Sequence, residues 1–175
     1  MNKAAILFAF YLLLLPGCRQ ERVAFSPDVL PSQVILDLTL DESMSGRRLW
    51  TLYASRAVVW EKDNRIDVDT IKIVFYDENG APYSQLNADC GRVFTRTEDL
   101  VARGNVRVTT SDSTTLLTDS LAWDNSRRIV HTDADITIRT LKGTIWGKGL
   151  VSDASLERIE IKSEVRGSAD YDFHH

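Results

Sequence analysis

Between Ser32 and Gly167 the chain runs in short stretches where apolar and polar residues alternate, separated by Gly, Asn and Asp; VILDLTL, IKIVFYDENG and VRVTTSD are three of them. A period of two, carried by β-branched and aromatic residues between turn-forming punctuation, predicts strands joined by tight turns. The alternation also assigns faces. In LWTLYA, Trp50, Leu52 and Ala54 fall on one side and Leu49, Thr51 and Tyr53 on the other. Val106 and Val108 oppose Arg107 and Thr109, and Ile136 and Ile138 oppose Asp135, Thr137 and Arg139. Each strand thus has one apolar side to bury. No stretch reads as a helix, since the best candidate, LWTLYASRAVVW, alternates too regularly.

A repeat organises these strands. An aliphatic residue, one intervening residue and a small residue recur at Leu52 and Ala54, Leu86 and Ala88, Leu116 and Thr118, and Ile145 and Gly147, with starts 34, 30 and 29 residues apart. Between them runs a second element marked by Ile66 and Ile71, Leu100 and Val106, Val130 and Ile136, and Ile159 and Val165. The spacing of six in the last three keeps both residues on one strand face. The unit is a pair of strands of about 30 residues used four times, and such periods mark stacked β architecture in which no pair buries its apolar side alone. The small residues at Ala54, Ala88, Thr118 and Gly147 leave space on the apolar side or let the strand bend across to an opposing layer. An all-β sheet folded over itself, with a lined interior, is the expected architecture.

The N-terminus differs. A short polar start carrying Lys3 precedes an unbroken apolar run from Ala4 to Leu15, then Pro16-Gly17 and Cys18. The run falls short of the roughly 20 residues that span a bilayer and suits the core of a secretory signal. Leu15-Pro16-Gly17-Cys18 resembles a bacterial lipobox, which predicts residues 1–17 as a cleaved signal and Cys18 as an acylated first residue; an ordinary signal peptide with an incidental cysteine is the alternative. Residues 18–31 have no consistent period and carry two prolines, Pro27 and Pro31, and so read as an extended tether. Thirteen such residues can reach about 40 Å.

Composition narrows the function. The remaining 158 residues suit one domain, and the formal charge of −4, or −5 without Lys3, is spread along the chain with no basic stripe for nucleic acid or for a polybasic membrane contact. With Cys18 acylated, Cys90 lacks an intramolecular partner and reads as a buried small hydrophobe, a reactive thiol being the alternative. Of three histidines two are terminal, and His131 has no thiol or hydroxyl partner in the pattern, which argues against catalysis. The aspartates of TDSLAWDN and HTDADI sit at strand ends and lack the ligand spacing of a calcium loop. No cofactor or metal is expected.

The order of WTLYA, IKIVFYDENG, LNADCGRV, LVARGNVRV, TLLTDSLAWD, HTDADITI, WGKGLVSD and IKSEVRG resembles the periplasmic LptC family of the lipopolysaccharide export bridge, over roughly residues 32 to 167. The resemblance implies a twisted β-jellyroll, open along one side, with residues 168–175 as a short tail. It implies an interior that takes acyl chains, lined here by Trp50, Leu52 and Ala54, by Leu86 and Ala88, by Val106 and Val108, by Leu116 and Thr118, and by Ile136, Ile138 and Ile145. The headgroup would stay at the open edge near Arg47, Arg48, Arg103 or Lys148. It further implies an inner-membrane ABC transporter that delivers lipopolysaccharide, met by the first strand, and an LptA-like bridge protein that pairs with the last strand through Ile159, Ile161 and Val165. Many family members keep an uncleaved N-terminal helix, where this chain has Cys18. A structural or adhesive β-repeat lipoprotein is the rival reading, because stacked β units also make scaffolds.

Overall fold

Period-two alternation over ten to fourteen residues gives nine strands in the computed structural model, which describes residues 30–169. They are β1 (Gln33–Met44), β2 (Arg47–Trp60), β3 (Arg65–Tyr76), β4 (Pro82–Phe94), β5 (Asp99–Thr110), β6 (Thr115–Asp124), β7 (Ile129–Thr140), β8 (Gly143–Ser152) and β9 (Ile159–Ala169). Each pairs antiparallel with the next in a single sheet of order β1 to β9, and β1 and β9 remain free edges of an open β-jellyroll. The only helical turn among the described residues is the 3₁₀ segment Glu61–Asp63 between β2 and β3.

A single sheet can bury its apolar face only by folding on itself, and the chain does so at one point in every strand. Register breaks or shifts there: Leu36 and Leu38 of β1 pair with Arg56 and Ala54 of β2, skipping Asp37 and Ser55. Further interruptions follow at Asn87/Cys90, Arg103/Val106, Thr118/Ala122, Thr132/Asp135 and Trp146/Lys148. Residues in the left-handed region mark the same line, among them Asp37, Thr70, Asn105, Gly149 and Glu164. Bulges and left-handed residues bend a strand and add local twist, so together they crease the sheet into two layers. Contact between Phe75 of β3 and Trp123 of β6, with ring centroids 5.5 Å apart, joins strands that are not sheet neighbours and shows the layers closing on each other.

In β4 the crease changes the phase of alternation. Ala88 is buried on one side of it and Val93 on the other, an odd number of residues apart, so that Cys90 emerges on the outer surface. A strict period of two from Leu86 through Ala88 places Cys90 inside; the register shift at Asn87/Cys90 reverses that expectation. Its thiol lies 3.7 Å from the carbonyl oxygen of Arg103. Thr51 departs from its expected setting in another way. It sits on the polar face yet is 1% exposed, because Asp41 accepts its hydroxyl hydrogen bond and Arg48 pairs with Asp41 at 3.5 Å.

Gly147 shows what the small repeat position is for. A Cβ at this residue would lie 2.5 Å from Ile161 Cγ2, so β9 can pack here only against a bare backbone. Gly147→Val is expected to cost about 1–3 kcal/mol through overpacking. Urea unfolding of the variant checks this, and an unchanged midpoint would contradict the close approach.

Candidate functional site

The repeat residues converge on one structural feature. Leu40, Leu52, Ile73, Leu86, Val108, Leu116, Ile138, Ile145 and Gly167 are successive register partners and form one row across all nine strands. Beside it, Ala54, Ile71 and Ala88 are partners in β2 to β4, and Val106, Thr118, Ile136 and Gly147 are partners in β5 to β8. In-register apolar rows of this kind stabilise a sheet through cross-strand side-chain pairs, and here they line the inside of the crease.

Coverage of the row varies along its length. Leu52, Leu86, Val108, Leu116 and Ile138 are buried, as are Trp50, Ala54, Ala88, Val106, Thr118 and Ile136 beside them. At the ends the cover thins: Leu40 of β1 is only partly buried and Ile145 of β8 is 36% exposed. The interior therefore reaches solvent at the two free edges of the sheet. The opposing layer contributes Val68, Val93, Leu100, Ala102, Leu121, Val130 and Leu150 to the same core. On the last strand Ile159 and Ile161 pack against this core, whereas Val165 is exposed.

Opposite the crease, the turns of the two layers meet. The β8–β9 connection inserts Ala154 and Leu156 into the core and is held by bonds within itself: Asp153 accepts from the Ser155 hydroxyl at 2.8 Å and from the Glu157 amide at 3.0 Å. This plug was not legible in the sequence, because DASLER has no strand or helix period. Polar groups join the remaining turns. Asn125 donates its side-chain amide to Glu98 at 2.9 Å and its backbone N–H to Asp99, also at 2.9 Å, and Arg128 lies 5.8 Å from the Trp123 ring centroid. Glu42 of β1 enters the same network: burial, then the Glu98 carboxylate with which it hydrogen-bonds, push its carboxyl above the ordinary value against the pull of Arg128. Asp124 goes the other way, held well below the usual carboxylate range by the Ser126 hydroxyl and then by Arg127.

The candidate headgroup cations divide by position. Arg47 and Arg48 stand at the β1–β2 turn, the first 3.7 Å from Glu78 and the second 5.5 Å from the Tyr76 ring centroid. Arg103 and Lys148 lie at the crease instead, Arg103 paired in register with Cys90 and Lys148 with Asp135. Among the described residues no group of three or more His, Cys, Asp or Glu side chains is placed to hold a metal, and no helix is long and apolar enough to cross a membrane. Cys18 and the predicted signal and tether, up to residue 29, lie outside the described residues, as do residues 170–175 of the tail.

A family model described as lipopolysaccharide-assembly, LptC-related, matches residues 27–171. No curated protein matches the chain.

The Glu42–Glu98 contact has a pH signature. A carboxyl whose pKa is raised by folding contributes stability that is complete below its unfolded value and is lost as pH rises through the folded one. Glu42→Gln keeps a donor toward Glu98 and removes the repulsion, so its urea midpoint should exceed that of the wild type at pH 7.5 and converge with it near pH 4. A lower midpoint at pH 7.5 would contradict the assignment.

Proposed function

The chain belongs to the lipopolysaccharide-assembly, LptC-related family, and from that premise we propose that it is a non-enzymatic periplasmic bridge protein. It receives lipopolysaccharide from the inner-membrane ABC transporter and passes it to the next β-jellyroll on the way to the outer membrane. The observation that carries this reading is the in-register apolar row, covered in the middle of the sheet and exposed toward its edges. A hydrocarbon chain needs no polar partner, and each methylene it buries is worth about 0.8 kcal/mol. The two layers part to admit the chain, and the row offers it a continuous apolar track from one edge of the sheet to the other.

Free edges supply the joints. β1 and β9 each have a sheet neighbour on one side only, which leaves backbone groups for strand addition. In this reading β1 faces the transporter, and β9 pairs with the LptA-like bridge protein through the strand that carries Ile159, Ile161 and Val165. The tether and an acylated Cys18 hold the domain to the membrane, with the inner membrane as the favoured site. The headgroup stays at the open margin, where Arg47 and Arg48 are the better placed of the four candidate cations.

Photo-crosslinkers distinguish this from a structural or adhesive scaffold. Introduced at Leu52 or Ile138 they should capture lipopolysaccharide in cells, whereas one at the outward Arg139 should not; capture from Arg139 alone would sink the proposal. The same chemistry at Val165 should yield an adduct with the next bridge protein, and its absence there would remove β9 as the joint. Cys18→Ala should release the protein from the membrane fraction and abolish the mass increment of acylation. Retention in the membrane would mean that another segment anchors it.

A further inference from the structure

The β8–β9 loop is fastened to the interior by burial and not by polar bonds. Its base is the register pair Ser152 and Ile159, and the six residues between them, Asp153 to Arg158, leave the sheet. Ala154 and Leu156 turn inward and are 5% and 6% exposed, while Glu157 and Arg158 face water. Among the described residues, every hydrogen bond and ion pair of residues 154–158 runs back to Asp153. The Ser155 hydroxyl and the Glu157 amide donate to its carboxylate, the Leu156 amide donates to its carbonyl oxygen at 3.2 Å, and the Arg158 guanidinium lies 3.8 Å from it. The backbone of Leu156 is left-handed, with φ of 58°, a conformation that a bulky side chain rarely adopts and that persists only where packing imposes it. Space adjoins the loop twice. Asp153, Ala154 and Ser155 line a cleft of about 160 Å³ at the contact between Phe75 and Trp123 of the two layers. Asp153, Glu157 and Arg158 line a second, open groove of about 670 Å³ beside Arg127 and Arg128 of the β6–β7 turn.

We propose that the seat of Ala154 and Leu156 is an entry subsite for an acyl chain, and that this loop is the plug the chain displaces. The inference rests on the proposed lipid slot and specifies which part of the closed interior yields first. Leu156 belongs to the same buried cluster as Leu52, Leu116 and Ile138, so its seat joins the apolar row. An entering hydrocarbon replaces the burial of Leu156 in kind and leaves no buried polar group unpaired. Withdrawal frees the left-handed backbone of its constraint. The loop then moves about the Ser152–Ile159 base into the open groove, with the bonds to Asp153 intact.

The test titrates the full chain, carrying isotope-labelled leucine methyls, with palmitoyl lysophosphatidylglycerol below its micelle concentration. Tryptophan fluorescence follows binding, and a soluble gadolinium chelate reports methyl exposure. At saturation the Leu156 methyls should be broadened by the chelate, while those of Leu150 stay protected. Leu156→Gly removes the plug side chain at a φ that glycine adopts freely, and should bind the lipid at least about tenfold more tightly, because no leucine has to leave its seat. Interior methyls that shift on binding while Leu156 stays protected, with the variant binding like the wild type, would overturn the plug and leave the slot standing. Binding by the variant alone would also overturn it, since a side chain that the lipid cannot displace is part of the core. If Leu156→Gly fails to fold, the methyl measurement on the wild type decides by itself. Binding by neither protein would overturn the slot and the plug together.

Discussion

Everything in this molecule depends on how one antiparallel sheet covers its own apolar face. A sheet with one hydrophobic side is stable only when that side meets another layer, and among the described residues there is no α-helix or second sheet to supply it. The crease is the solution. By breaking register at nearly the same height in every strand, the chain turns the two halves of one sheet into two layers and brings Phe75 against Trp123. Residues that adopt left-handed backbone at this line cost conformational energy, particularly the β-branched Thr70, and the burial on both sides of the crease offsets that cost.

The same device leaves the sheet unfinished in a useful way. A barrel would remove its edges, whereas a creased meander keeps β1 and β9 free and lets the apolar row approach solvent at Ile145. The outer surface carries cross-strand ion pairs: Arg92 reaches Asp67 at 2.6 Å and Arg56 reaches Asp69 at 3.1 Å, pairs that join neighbouring strands and face water. Exposed pairs of this kind contribute little stability. The role proposed for this member of the LptC-related family draws instead on the interior and the free edges.

Much of the fold could be read from particular residues. Leu52, Leu86, Leu116 and Ile145 stand in equivalent places of the sequence repeat, and the structure sets them in one register row because the repeat unit is a pair of antiparallel strands. The all-β class and the folded sheet followed from the same alternation. Phase was harder to read. Cys90 lies outside because the crease adds an odd step in β4, and alternation carries no signal for the register shift at Asn87/Cys90. Thr51 is buried by its partner Asp41 ten residues earlier, a contact that depends on the β1–β2 register. The plug formed by Ala154 and Leu156 depends on which turns meet across the fold, and local sequence does not specify that.

The central claim is that the closed interior and the lipid slot are the same volume, opened when the layers part. Methyl resonances measure this directly. In a titration of the labelled protein with monomeric lysophosphatidylglycerol, signals of Leu52, Leu116, Ile138 and Leu150, buried on both layers, should shift with saturation. Those of the outward Leu141 should stay in place. Shifts confined to Leu141 and other surface methyls, with the interior signals unmoved at saturation, would show a permanently closed core and contradict the account.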